Sequence, residues 1–482
     1  MTEKKEDYYV MGSFIFESFS YQDVPCKVYL PKTIYDKPKI VIRSSSRSTR
    51  SIGSHWKLSF EANIPGYSKG VNTKIKCPEI YANSSKTRCW GPSLEETTIS
   101  YSAENLEVIT HQGKGNILKT SIEFWITLNS YITPQSMASL SYDGNVEVKV
   151  TKNLSFDVNG IIFDFVNRYK YEKNSSDDTI QSKYLVGTCE CELYTIDTEF
   201  IISNYLNKLD DFLLLTSFAS RHRTACVGWD KYDSESHAKF YRGNYSIPTK
   251  KKNDTYDGLI DISDFDCFIG LAIDNFEKYE DKEVLRSAIL SLLPLTQSSV
   301  EKSFLSKFAA LESLILIYKR NENVEFILTE NEWKILRKQL EKSIKNCSDL
   351  TLTPEKRASI YSKLSELNRL SLKESFEKFQ GHYNLFYKDL WPIFGTSEFG
   401  GLSDIRNILI HGEPLPRGLF NALVSANAHL HIYIERALVV ILGWNVEKTD
   451  IGISQLSVSP RGEEDFHRNS KDIKLFMSKN KK

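Results

Sequence analysis

The sequence carries no excess of either charge: Lys and Arg together number 62, Asp and Glu together 62, and the formal net charge is zero. That excludes a polycation built to coat nucleic acid over its whole surface, so any RNA contact must be local. The chain also lacks the run of about twenty apolar residues that a membrane-spanning helix needs. Glu435 and Arg436 interrupt the longest candidate. No apolar stretch follows the charged start MTEKKEDYYV, so neither a secretory signal nor a membrane partner is expected, and a cytoplasmic location is. Cysteine is sparse, 8 in 482 residues, which argues against a disulfide framework. Cys189 and Cys191 have no second Cys or His pair nearby at zinc-like spacing, and alternation along a strand would put both thiols on one buried face. No metal or other cofactor is expected, and no internal repeat is visible.

What the sequence does contain is a change of texture along its length. From about residue 8 to 200, segments such as GSFIFES, PKIVIR, NLEVITH and SIEFWITL alternate apolar and polar residues between Gly, Pro, Asn and Ser clusters. This predicts a β-rich domain over 1–200, an antiparallel sandwich or barrel-like. A mainly helical middle region over 201–295 opens with NYLNKLDDFLLLTSFAS, contains an exposed loop at Lys250–Asp254 and breaks near Pro294. Beyond it the spacing predicts an all-α bundle over 296–450, with helices Gln297–Arg320, Glu330–Cys347, Pro354–Leu370, Lys373–Trp391 and Leu419–Trp444. Residues 451–482 are polar and read as a tail. The fold class is α+β.

Between the last two long helices lies Arg406-Asn407-Ile408-Leu409-Ile410-His411, a cation and a titratable base five positions apart. An arginine can fork two N–H donors onto a phosphate and a histidine can move protons near neutral pH, a pair that RNA cleavage can use without a metal. Spacing alone is weak, since roughly one such match arises by chance in a chain of this length. Arg50 to His55 and Arg461 to His467 match as well, but neither sits on a credible helix. At the third match Leu402, Ile405, Ile408 and Leu409 form one apolar arc, with Asp404, Asn407 and His411 opposite. Ser403 can cap the start, and Gly412 with Pro414 can end the helix. His411 then lies in the last turn, where the helix dipole favours a protonated ring. On an ideal wheel Arg406 points well away from His411, a separation that a second, paired helix would resolve.

Other positions keep two readings. Glu312 falls on the shoulder of the stripe Phe304, Phe308, Leu311 and Ile315, where a carboxylate either orients Arg406 or His411 or reaches solvent at a helix edge. Asp404 is a candidate for the same supporting role. Arg221 and Arg223, flanking His222 at a helix end, either contact RNA or another anionic ligand or simply answer the helix dipole. Arg417, after the turn that follows His411, either assists phosphate binding or is a loop arginine without a role. His429 and His431 lie in the last long helix, where a core or interface role is expected.

A helical bundle carrying RNILIHG resembles the HEPN superfamily, whose signature is Arg, a polar residue, a short spacer and His. The order of a β-rich part, SFASRHRTACVGWD, SFLSKFAALESLILIY and LSDIRNILIHGEPL is similar to the ApeA family of bacterial anti-phage proteins. The resemblance implies a metal-independent endoribonuclease that acts in abortive infection on host RNA, tRNA being one candidate, once a phage trigger is sensed. It implies Arg406 and His411 as catalytic residues with Asn407 positioning them, a 2′,3′-cyclic phosphate product, and pairing of two bundles in a homodimer or higher homo-oligomer. Two alternatives stand beside it: a non-catalytic RNA-binding or dimerisation scaffold of the same fold, and a toxin regulated by nucleotide transfer near the motif.

Overall fold

A computed structural model describes residues 7–34, 36–44, 52, 55–65, 72–89, 95–111, 121–140, 146–152, 154–173, 178–191, 197–232, 236–243, 258–293, 298–347, 352–412, 415–456 and 466–480. Arg50, the Lys250–Asp254 loop, Pro294, Pro414 and Arg461 lie outside these residues. The chain forms two compact units, Met1–Gly258 and Leu259–Lys482. The boundaries expected near 200, 295 and 450 fall inside them.

The first unit begins with a closed antiparallel barrel. Its strands are β1 (Asp7–Phe16), β2 (Phe19–Tyr29), β3 (Lys39–Ser44), β4 (Lys57–Pro65), β5 (Asn72–Cys89) and β6 (Glu95–Glu104). The pairings run β1–β2–β3–β6–β5–β4 and return to β1, so among the described residues each barrel strand has a paired neighbour on either side. Period-two alternation sends Val10, Phe14, Val28, Ile40, Ile42, Phe60 and Tyr101 into a buried interior. Gly12 sits where a Cβ would come within 2.4 Å of the Phe60 ring, so only glycine admits that ring to the barrel.

β5 is long enough to serve two sheets. Its first residues pair with β7 (Leu106–His111), and the order continues through β15 (Ser236–Tyr241), β14 (Cys226–Tyr232), β8 (Ser121–Ile126), β13 (Asp178–Glu190), β12 (Ile161–Lys173) and β11 (Leu154–Val158). β9 (Gln135–Leu140) and β10 (Val146–Lys152) form a separate hairpin. Helix α1 (Asn207–Ser220) packs on this second sheet, with Phe212 5.1 Å from the Phe156 ring and 5.6 Å from Phe165. β14 and β15 are two strands inside the span expected to be mainly helical, 201–295. Their partners, β8 and β7, are more than a hundred residues earlier, so short-range pattern did not reveal them. Cys189 and Cys191 are both buried, and burial pushes the Cys189 thiol up to about 12.

The second unit is helical: α2 (Phe265–Lys278), α3 (Lys282–Leu292), α4 (Val300–Asn321), α5 (Glu330–Lys345), α6 (Pro354–Lys363), α7 (Leu372–His382), α8 (Leu402–Ile410), α9 (Phe420–Ile441) and α10 (Phe466–Asn480). α9 is its centre, buried on nearly every face and packed against α4, α3 and α10. Arg436, one of the charges that break its apolar run, is itself buried. It donates to both carboxylate oxygens of Asp389 at 2.8 and 2.6 Å and to the carbonyls of Phe386 and Ile451. Two expectations are corrected here. The helix expected over Lys373–Trp391 stops at His382, because Asn384 takes a left-handed φ of 49° and the Leu385 N–H closes onto the Gln380 carbonyl. The tail expected over 451–482 contains α10, which buries Ser470 and Ile473. No described helix is long and apolar enough to cross a membrane.

Candidate functional site

α8 carries the Arg–Asn–His motif, and its apolar arc is seated as its spacing predicts: Leu402, Ile405 and Ile408 are buried while Asn407, Ile410 and His411 are exposed. Ser403 does not cap it. Gly401 is the N-cap, and the Asp404 carboxylate accepts the Gly401 N–H at 2.8 Å. The preference for serine at a cap yields to close packing, since a Cβ on Gly401 would lie 2.3 Å from the Gly395 nitrogen. The next free N–H groups are taken up by the preceding loop: Leu402 donates to the Pro392 carbonyl at 3.0 Å and Ser403 to the Ile393 carbonyl at 2.8 Å. Asp404 is therefore a capping residue rather than a partner of the motif side chains.

The loop itself is held from two sides. The Gly400 carbonyl accepts the Trp391 indole N–H and the Ser470 hydroxyl, each at 2.7 Å, and the Gly400 N–H donates to the Ser470 carbonyl at 3.0 Å. Trp391, Ser470 and Ile473 are all buried. The Trp391 backbone N–H donates to His429 Nδ1 at 3.3 Å, which gives the buried His429 a place in the core. His431 faces the buried Glu435 at 3.1 Å. Sequence reading missed Trp391 and Ser470 as supports, and a signal existed only for the first, a large aromatic just before a Gly-rich turn.

On the exposed side of α8, Arg406 donates through Nη2 to both oxygens of Glu312, at 3.2 and 3.4 Å, and through Nη1 to Asn407 Oδ1 at 3.1 Å. Its guanidinium lies over the Phe308 ring, 5.9 Å from the centroid. Glu312 and Phe308 are one turn apart on α4, so a single helix face supplies both a carboxylate and an aromatic surface to the arginine. Both side chains of the ion pair remain about one third exposed, which keeps the guanidinium edge accessible. Arg406 Nε is buried with no hydrogen-bond partner.

His411 is the C-cap of α8: its N–H donates to the Asn407 carbonyl at 3.1 Å, and the chain then turns through Gly412 at φ 75°. Its ring is exposed, with no side-chain hydrogen bond or ion pair among the described residues. Arg406 is thus anchored by Glu312 and Asn407, and His411 is exposed at the C-terminal end of the same helix. Arg417 lies exposed in the short turn Arg417–Leu419 ahead of α9. Arg221 and Arg223 belong to the first compact unit. Arg221 takes a left-handed φ of 50°, and the buried Asn129 amide braces the segment through Ser220, the His222 carbonyl and Thr224.

Lys307 is a buried titratable group that sequence pattern did not single out. Lys307, on α4 just before Phe308, donates to Asn427 Oδ1 at 3.1 Å across the α4–α9 contact. Burial pushes its ammonium down to about 8, with the Glu435 charge acting in the opposite direction. Among the described residues, no three His, Cys, Asp or Glu side chains gather at metal-binding spacing. No family model matches this chain, and no curated protein or solved structure is significantly similar to it.

Proposed function

We propose that the second unit is a HEPN-type endoribonuclease that cuts RNA without a metal ion, in an anti-phage protein that acts by abortive infection. The observation that carries this reading is the motif geometry: an arginine held by a carboxylate and an asparagine, five positions before an exposed histidine at the end of the same helix. In the proposed reaction the ribose 2′-hydroxyl attacks the adjacent phosphorus, leaving a 2′,3′-cyclic phosphate and a 5′-hydroxyl. His411 exchanges protons with the attacking or leaving oxygen. Arg406 stabilises charge developing on the phosphoryl oxygens, with Glu312 and Asn407 fixing its plane. Five positions at 100° per residue set Arg406 and His411 about 140° apart around the helix, so a composite site from two paired copies accounts for both groups meeting one phosphate. Host RNA, tRNA included, is the substrate class, and the anti-phage role rests on the resemblance of the motif and its order in the chain.

The pairing of Arg406 with Glu312 also favours a second reading, in which the guanidinium is structural and the bundle binds RNA or a second copy without cutting. Total bacterial RNA incubated in EDTA with the wild-type chain and with His411→Ala separates the two. Cleavage by the wild type alone, with cyclic-phosphate ends, supports the nuclease. Equal binding by both proteins and no cut ends, in extracts of infected as well as uninfected cells, supports the scaffold.

A further inference from the structure

The outer wall of the barrel carries a feature that the motif helix does not explain. On β1 the odd positions point outward, and Tyr9 is 78% and Met11 54% exposed, although the same alternation buries Val10 and Phe14. Across the register, Tyr9 pairs with Lys27 and Lys27 with Val41, while Asp7 and Lys39 flank Tyr29. Of these, Tyr9, Met11, Lys27, Tyr29 and Val41, with Arg43, line a cavity of about 370 Å³, and Lys39 stands next to it, paired with Tyr29 across the strands.

The aromatic rings in this cavity are held in place. Lys27 Nζ lies 4.7 Å from the Tyr9 centroid and 4.3 Å from that of Tyr29, and it is fixed by Asp7 at 3.0 Å. The Asp7 charge is thereby answered. Arg43 and Lys39 are exposed and make no ion pair among the described residues, so the wall is left cationic. Two strand spacings across and two residues along separate the Tyr9 and Arg43 positions, about 12 Å. An occupant must therefore offer a flat apolar face to Tyr9 and negative charge to Arg43 and Lys39. A single-stranded nucleic acid does both: every base has a face that stacks on an aromatic ring, and every linkage carries a phosphate.

We infer that this wall of the barrel is a binding site for single-stranded RNA, with a base stacked on Tyr9 and backbone phosphate held by Arg43 and Lys39. It is a second contact with RNA, in the other compact unit from α8, and it stands whether or not α8 cuts RNA. Because stacking tolerates any base, the site captures single strands with little sequence preference.

The test is fluorescence anisotropy with a labelled single-stranded RNA 12-mer of mixed sequence, in EDTA, on the full chain carrying His411→Ala so that the probe stays whole. Tyr9→Ala is expected to weaken binding about tenfold while Tyr9→Phe stays near the parent, because stacking needs the ring and not the hydroxyl. Arg43→Ala is expected to lower the slope of log affinity against log salt by about 0.7, one phosphate contact on a single strand. Tyr9 and Arg43 are exposed, so these variants keep the fold, which circular dichroism checks. Absence of binding, or binding unchanged by both Tyr9→Ala and Arg43→Ala, overturns the inference. So does competition by free AMP or by a duplex of equal length at the concentration that suffices for the single strand.

Discussion

The two ends of α8 are built on opposite plans. At its start, Gly401, Leu402 and Ser403 all donate to defined acceptors, and the loop before them is tied to Trp391 and to Ser470 of α10. At its end, His411 is exposed and the chain leaves through a left-handed glycine. Free energy of packing is concentrated where no chemistry is proposed, and the chemically capable ring sits where packing is thin. The proton transfer proposed for His411 needs access, and its helix needs a fixed origin. The contrast teaches that the closed end aims the open one.

That contrast can be broken from either side. The largest effect belongs to the open end: His411→Ala is expected to lower RNA cleavage by about 10²–10⁴-fold with no change in melting temperature, read from cyclic-phosphate ends and a thermal scan. At the closed side, Arg436→Ala leaves Asp389 and two carbonyls without their donor. It is expected to cost about 3–5 kcal/mol in urea unfolding, and any loss of cleavage should follow the loss of fold.

Lys307 sharpens the comparison through pH. Folding lowers the affinity of this amine for its proton, so from about pH 8 to its ordinary value near 10.5 the unfolded chain binds more protons and stability rises with pH. The cost carried below that window is on the order of 3 kcal/mol. Lys307→Met is expected to flatten this rise in urea midpoints between pH 8 and 10. An unchanged slope would show that the ammonium is not desolvated. Ser470→Ala removes one of two donors to the Gly400 carbonyl, and about 1 kcal/mol of stability should go with it. Faster amide exchange should be confined to residues 400–403. Smallest is Gly412→Ala, where a left-handed φ with open space around it predicts a loss of about 1 kcal/mol and little change in cleavage.

Much of α8 was legible because its information is local. Leu402, Ile405 and Ile408 declare the buried face by period and Gly412 declares the stop, while Glu312 on an apolar shoulder kept two readings, a partner or solvent, and lies 3.2 Å from Arg406. Ser403 misled because cap preference is a local average, and the approach of Gly395 to Gly401 is a tertiary fact. The antiparallel character of the first unit was likewise readable from alternation. The choice between sandwich and barrel stayed open, since closure depends on β5 pairing with both β4 and β6, which no window of a few residues contains. α10 was misread for a related reason. Its anchors are few, Phe466, Ser470 and Ile473, and their value comes from what they meet on α9 and at Gly400.

The tie between Gly400 and Ser470 also sets an order in time. A ribosome delivers α8 well before α10, and at about 5–20 residues per second the interval is roughly 4–14 s. Throughout it the motif helix has emerged while one of the two clamps on its leading loop does not yet exist. A chain interrupted in this interval would display Arg406 and His411 on an unfinished mount. Delivery of α10 is thus itself a step in fixing the motif helix.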